Sequence, residues 1–239
     1  MSFNMGKINM STAMANTINN LKTIFLSPKL NSMKIQDAIF QTLVTFGLAY
    51  LITFFSAIIS FFLSVFATEN FTGKVVSTIV QTFIAVIRSV PTVLWVLMFA
   101  ITIGLGSEAA VVGCMLHAIA YLTKMYSESL EEMDYGPIEA LRASGASFWQ
   151  IVFQGIAPTV LPSFTSWTFM RFEINYTVVL AMGATAGAGG LGFGLFMAGS
   201  FYYDMHEIGA ITYIILITCF ALEILSRIIN ARMLKEKTN

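Results

Sequence analysis

The chain has 239 residues, 56% of them hydrophobic and 11% charged, with a mean hydropathy of +0.76. That is more apolar surface than one water-soluble core could hide, so the solvent it folds in is a lipid bilayer. Thirteen Lys and Arg balance thirteen Asp and Glu, which removes any electrostatic argument for a nucleic-acid partner, and Cys114 and Cys219 stand singly in apolar runs with neither disulfide nor metal-ligand spacing.

In chain order, residues 1–37 form an N-terminal tail without the long apolar core and small-residue cleavage site of a signal peptide. A spanning helix needs about 20 predominantly apolar residues. Five stretches reach or approach that length, near 38–67, 78–104, 108–127, 161–183 and 207–230, which defines a membrane domain over 38–232 and leaves 233–239 as a tail. The second stretch contains Arg88 and Pro91 in AVIRSVPTVLW, so its first half is expected to be separate, kinked or interfacial, because proline cannot donate the helical hydrogen bond. The fourth contains Arg171, Glu173 and Asn175 and runs into GATAGAGGLGFG, too flexible for a helix interior. There Gly187, Gly189, Gly190 and Gly192 are expected in a tight turn near the outer mouth.

Lys and Arg near the spans assign the sides. Arg227, Arg232, Lys235 and Lys237 put the C-terminal tail in the cytoplasm, whereas the turn before Glu108 and the loop with Asp204, His206 and Glu207 have no Lys or Arg and belong outside. The loop of about 128–160 is then cytoplasmic. An odd span count puts the N-terminus outside although it carries Lys7, Lys22, Lys29 and Lys34. Either the tail is translocated despite its charge, or it lies as an amphipathic helix on one face, or the span count is off by one.

That cytoplasmic loop has its own grammar. Gly136-Pro137 turns the chain and starts a helix, Glu139 suits the positive end of its dipole, and Gly145 ends it with a left-handed cap. Ser147-Phe-Trp-Gln150 matches a capping box that opens a second helix, which Pro158 and Pro162 are expected to close before the next span. Phe148 and Trp149 are too apolar for a free loop. They suit a surface covered by another protein or, equally on spacing alone, an interfacial helix resting among headgroups.

Here the residues resemble a known family. The loop is similar to the coupling loop of ATP-binding-cassette importer permeases, whose pattern is Glu-Ala-Ala, three residues, Gly, nine residues, Ile, one residue, Leu-Pro. Glu139, Ala140, Gly145 and Pro158 stand at matching positions, while Leu141, Gly155 and Ala157 depart from it. Within that superfamily RSVPTVLW (88–95), GPIEALRASGAS (136–147), VLPSFTSWTFMRFEIN (160–175) and GAGGLG (187–192) resemble phosphonate-importer permeases, and methionine-importer permeases share the first and last elements.

The resemblance implies an all-α membrane protein of the type I importer permease fold, with about five transmembrane helices, in the bacterial plasma membrane. It implies a homodimer in which each copy docks one cytoplasmic ATPase through Glu139, Ala140, Leu141, Arg142, Gly145, Phe148, Trp149 and Pro158. An extracytoplasmic binding protein would deliver a phosphonate or related phosphorus oxyanion, with another solute such as methionine as the alternative cargo. ATP and Mg would sit on the partner, since the nearest approach to a phosphate-cradling loop, TENFTGKV (68–75), lacks the first glycine and the final hydroxyl. No catalytic residue, cofactor or metal is expected in this chain, and His117 and His206 stand alone in the sequence. The rival classes are a secondary transporter or channel, which should show an internal repeat, and a membrane-embedded enzyme, which should show clustered Asp, His or Cys.

Charges inside spans need partners or water, since an arginine near a helix centre costs about 2.5–3.5 kcal/mol on insertion scales. Arg171 and Glu173, two apart, must look to different neighbours. Arg171 is expected to sit shallow and snorkel toward the cytoplasm. The sharper alternative has Arg88 or Arg171, with Pro91, Glu173 and Asn175 along the same pathway, giving it a positive potential for an anion.

Overall fold

The computed structural model describes residues 9–237. Residues 1–8, with Lys7, and 238–239 lie outside the described residues. All regular elements among the described residues are helical: α1 (Met10–Leu26), α2 (Ile35–Ala67), α3 (Glu69–Thr72), α4 (Lys74–Ser89), α5 (Thr92–Ile103), α6 (Ser107–Glu131), α7 (Gly136–Ala143), α8 (Phe148–Gln150), α9 (Ala157–Ala186), α10 (Gly190–Met197) and α11 (Met205–Lys237). Three helices are long and apolar enough to cross a membrane, and the number is five if each of two bent pairs counts as one span.

One bent pair is α4 and α5, which meet at 84° across Val90-Pro91. Pro91 caps α5 and carries no N–H, so the break falls where the sequence placed it. The other pair is the long helix ending at Ala186 and its continuation from Gly190, bent by 43°.

Cross-bonds give the helix directions. The Ser56 and Ser60 hydroxyls of α2 donate to the Met115 and Ile119 carbonyls of α6, so the two helices run parallel in close contact over small residues. Ser77 donates to the Ala67 carbonyl at 2.5 Å, which returns α4 from the far end of α2. On α6, Gly113 receives the α5 backbone so closely that a Cβ there would lie 2.6 Å from the Val96 Cα. One core gathers Ala49, Ile52, Val96, Cys114, Tyr176 and Val179, and a second gathers Val65, Leu122, Tyr126, Ile138, Val152 and Phe164 at the loop end.

Several expectations change. Pro158 and Pro162 do not close the second loop helix, because α8 continues through a π-helical turn, Ile151–Ile156, into α9. The Ala157 N–H reaches back to the Val152 carbonyl, and this wider register leaves a carbonyl without a donor just where Pro158 has none to give. The glycine run is only partly a turn. Gly187, Gly189 and Gly190 make the bend with φ of 65°, 79° and 72°, Gly190 also opening α10, but Gly192 lies inside α10, whose Leu191 N–H is capped by the Thr45 hydroxyl of α2 at 3.0 Å. At the C-terminus α11 stays helical through Lys237, across the start of the expected tail.

The N-terminal segment is tied to the end opposite the loop. The Lys29 N–H donates to the His206 carbonyl, and the buried Glu207 carboxylate accepts the Ser32 and Met33 N–H groups at 3.0 and 2.8 Å. Residues 27–34 therefore share the side of the Asp204–Glu207 loop.

Candidate functional site

At the other end, α7 and α8 form a bent, braced loop. The Gly136 N–H bonds the Asp134 carboxylate at 3.0 Å, and α7 starts with Pro137 in its first turn. It ends in a double bond pattern, Gly145 N–H to the Arg142 carbonyl and Ala146 N–H to the Leu141 carbonyl, with Gly145 at φ 82°. The Ser147 N–H then donates to the Gln150 side chain at 2.7 Å, the capping box expected there.

The bracing comes from α2 and α3. Arg142 reaches the Asn70 carbonyl at 3.4 Å, Phe148 stacks on Phe66, and Trp149 meets Phe62 edge-on with ring centroids 6.3 Å apart. Phe148 and Trp149 are still 38% and 47% exposed. Glu139, Ala140, Arg142 and Gly145 face solvent, and Pro158 is exposed on the continuous helix. Leu141 behaves differently: it is half-buried, and its Cδ1 lies 2.8 Å from where a Gly155 Cβ would stand. Two of the three departures from the loop pattern thus touch each other, a larger residue at 141 filling the space that the missing side chain at 155 leaves.

Of the intramembrane residues, Arg171 does not snorkel. It is 3% exposed, with Nη2 3.3 Å from His117 Nδ1 and Cζ 5.0 Å above the Tyr121 ring. Arginine has no acceptor, so His117 receives this bond on Nδ1 and carries its own proton on Nε2. The Arg171 Nε has no hydrogen-bond partner, and no carboxylate pairs with Arg171 among the described residues. Burial follows from helix register: His117 and Tyr121 lie one turn apart on α6 and face α9, so the long side chain extends across to them instead of along the lipid face. Sequence reasoning took His117 as isolated, and the His117–Tyr121 spacing was the one available signal.

Asn175, one turn beyond Arg171, donates to the Thr53 hydroxyl at 2.9 Å and leaves its Oδ1 without a partner. Glu173 looks the other way, toward Glu223 and Ser226 of α11. Arg88, in the last turn of α4 just before the Pro91 break, lines a cavity of about 280 Å3 between α4 and α6, with Gln81, Lys124, Ser127 and Glu128. The structure therefore joins Arg171 with His117 and Tyr121, and Asn175 with Thr53, brings Arg88 within electrostatic reach of the same His117, and gives Glu173 separate surroundings.

Residues 60–235 match the family model described as "Binding-protein-dependent transport system inner membrane component". Among curated proteins the chain is 30% identical over 154 residues to "Phosphate-import permease protein PhnE" of Mycolicibacterium smegmatis, covering 64% of this chain and 28% of that protein. It is 31% identical over 162 residues to "Phosphite transport system permease protein PtxC" of Stutzerimonas stutzeri, covering 68% of this chain and 57% of that protein. The match to "Methionine import system permease protein MetP" of Bacillus subtilis is 26% over 128 residues, 51% of this chain and 55% of that one. The matched stretch thus spans less than two thirds of each of these relatives. In fold, the chain superposes on an inward-facing MetNI methionine ABC transporter chain with a TM-score of 0.72 at 22% identity, covering 84% of this chain and 99% of the other. With three quarters of its length inside one family model and its helices in that arrangement, the chain belongs to the binding-protein-dependent transport system inner membrane component family.

Proposed function

We propose that this chain is the membrane-spanning permease subunit of an ATP-binding-cassette importer, working as a pair of copies with separate cytoplasmic ATPases and an extracytoplasmic binding protein, and that its cargo is a phosphorus oxyanion. The observation that carries the reading is the α7–α8 loop, a bent plug with a solvent-facing polar edge on a stem that continues without a break into α9. A displacement of the plug has a rigid rod to act on, from Phe148 to Ala186, with the glycine bend at its far end. ATP hydrolysis belongs to the partner chain, and this subunit contributes a two-state rigid-body element.

The oxyanion cargo rests on the names of the phosphate and phosphite relatives and on a positive charge, Arg171, held inside the bundle with no acidic partner among the described residues. An unpaired buried guanidinium favours anions nearby, and its planar donors suit phosphorus oxygens.

The docking half is tested by charge reversal on the exposed edge, Glu139→Arg with Arg142→Glu. Both side chains are exposed, so the folded yield should hold while ATPase co-purification and uptake fall at least tenfold. Unchanged co-purification would sink the docking role. The cargo half is tested by uptake into proteoliposomes with phosphite, methylphosphonate and methionine. Arg171→Gln should reduce oxyanion uptake far more than any neutral uptake, whereas equal losses would remove the anion role of Arg171.

A further inference from the structure

The N-terminal helix α1 carries a surface that the bundle does not use. Met10, Met14, Ile18, Leu21 and Phe25 recur at spacings of three and four along its 17 residues and are between 48% and 67% exposed. Asn16, Asn19 and Asn20 lie on the other side. Among the described residues one edge of the helix touches protein: the Ile24 carbonyl rests against Gly209, where a Cβ would collide with it, and the Tyr213 hydroxyl donates to the Phe25 carbonyl at 2.8 Å.

We propose that α1 is an interfacial anchor that lies in the outer surface layer of the bilayer, with the Met10–Phe25 stripe on acyl chains and Lys22 and the flanking lysines among lipid phosphates. Three observations select lipid as the occupant. The stripe stands on the helix that packs on α11 at Gly209 and Tyr213, and α11 itself exposes an apolar set, Leu216, Ile217 and Phe220, of the kind that faces lipid. The tether fixes the height of α1, because residues 27–34 are bonded to Asp204, His206 and Glu207 at the polar end of α11. Charge completes the match: Lys7, Lys22, Lys29 and Lys34 precede Asp37 with no acidic residue before it, the pattern that binds anionic headgroups.

A crossing orientation does not fit α1. Seventeen residues rise about 25 Å, short of the hydrocarbon core, and three asparagines and Lys22 lie in the stretch that would cross. An interfacial position also removes the charge conflict at the N-terminus, since a helix held at the surface needs no cytoplasmic lysines to orient it.

The test is nitroxide scanning of residues 10–25 in the full-length protein, in a Cys219→Ser background with Cys114 buried, reconstituted in phosphatidylethanolamine–phosphatidylglycerol vesicles. Oxygen collision rates should peak at Met14, Ile18, Leu21 and Phe25, and a water-soluble nickel complex should peak at Asn16 and Asn20. Access of the nickel complex to the stripe would overturn the proposal, and so would protection of the stripe from both reagents, which would mean a second copy or another protein covers it. In vesicles of phosphatidylcholine alone the stripe should move outward, and Lys22→Gln with Lys29→Gln should abolish that difference. No outward shift would overturn the part given to the lysines.

Discussion

Two glycine-bearing bends stand at opposite ends of the long helix that includes α9, and they use glycine for different reasons. At Gly145 a Cβ would meet nothing within 4 Å, so space is free and only the backbone angle of 82° calls for glycine. At Gly192 the backbone is ordinary helix, but a Cβ would fall inside the Leu180 carbonyl, and Gly183 packs closely, though less so, on the backbone of Gly189, Gly192 and Phe193. The first bend is a hinge held by dihedral freedom alone, and the second, which also turns through left-handed glycines, adds a joint held by contact at Gly192 and Gly183. The contrast teaches that a hinge tolerates a side chain at some strain, whereas a contact joint tolerates none.

The largest expected effect follows from the joint. Gly192→Ala should prevent α10 from closing on α9, because the opposing atoms are backbone and cannot rotate away. Overpacking of this kind costs about 1–3 kcal/mol or more. Folded, monodisperse protein in detergent should drop severalfold, and a normal yield with unchanged thermal unfolding would break the distinction between the two bends.

The hinge should behave more mildly and more selectively. Gly145→Val places a β-branched residue in left-handed geometry at about 1–2 kcal/mol, while Gly145→Asn, which accepts that geometry, should be nearly neutral. Both variants should insert and fold. Transport per unit ATP hydrolysed should fall only in the valine variant, and equal behaviour of the two would show that the angle does not matter.

Leu141 and Gly155 sharpen the comparison, because here a missing side chain is compensated by a neighbour. Leu141→Ala should cost about 2 kcal/mol, low for a leucine since it is half-buried, and Gly155→Ile about 1–3 kcal/mol. The double variant should recover part of both losses, with a coupling of about 0.5–3 kcal/mol in a thermal-unfolding cycle. Strict additivity would mean the two sites do not share space.

The smallest effect belongs to Asp204 at the outer end. Asn31 donates to its carboxylate at 2.6 Å, and this bond, with those from the His206 and Glu207 N–H groups, holds its pKa below the usual carboxylate range. A depressed folded-state value means the stabilisation is complete above the ordinary carboxylate pKa and is lost as pH falls through the lower folded value. Thermal stability of the wild type should therefore fall slightly faster on acidification than that of Asp204→Asn. Parallel curves would remove the contribution.

How much was legible varies residue by residue. The break at Pro91 was visible because a missing N–H is a property of one residue, and the Gly145 cap and Ser147–Gln150 box were visible because their partners lie within a few positions. Arg171 was misplaced at the surface because its surroundings come from α6, some fifty positions away, and hydropathy does not say which face of a helix meets another. Pro158 and Pro162 were taken as stops, since local rules do not contain the π-helical turn that lets the helix pass.

By itself the sequence determined the solvent, the all-helical class, the number of apolar stretches and the grammar of the α7–α8 loop, because each follows from composition or from interactions only a few residues long. Only the tertiary structure decided that Leu141 fills the place of a side chain at Gly155, that Glu207 holds the N-terminal segment, and that Arg171 is buried against His117 and Tyr121. Those outcomes depend on which helix faces meet, and that is set by packing summed over the whole bundle rather than by any local run of residues.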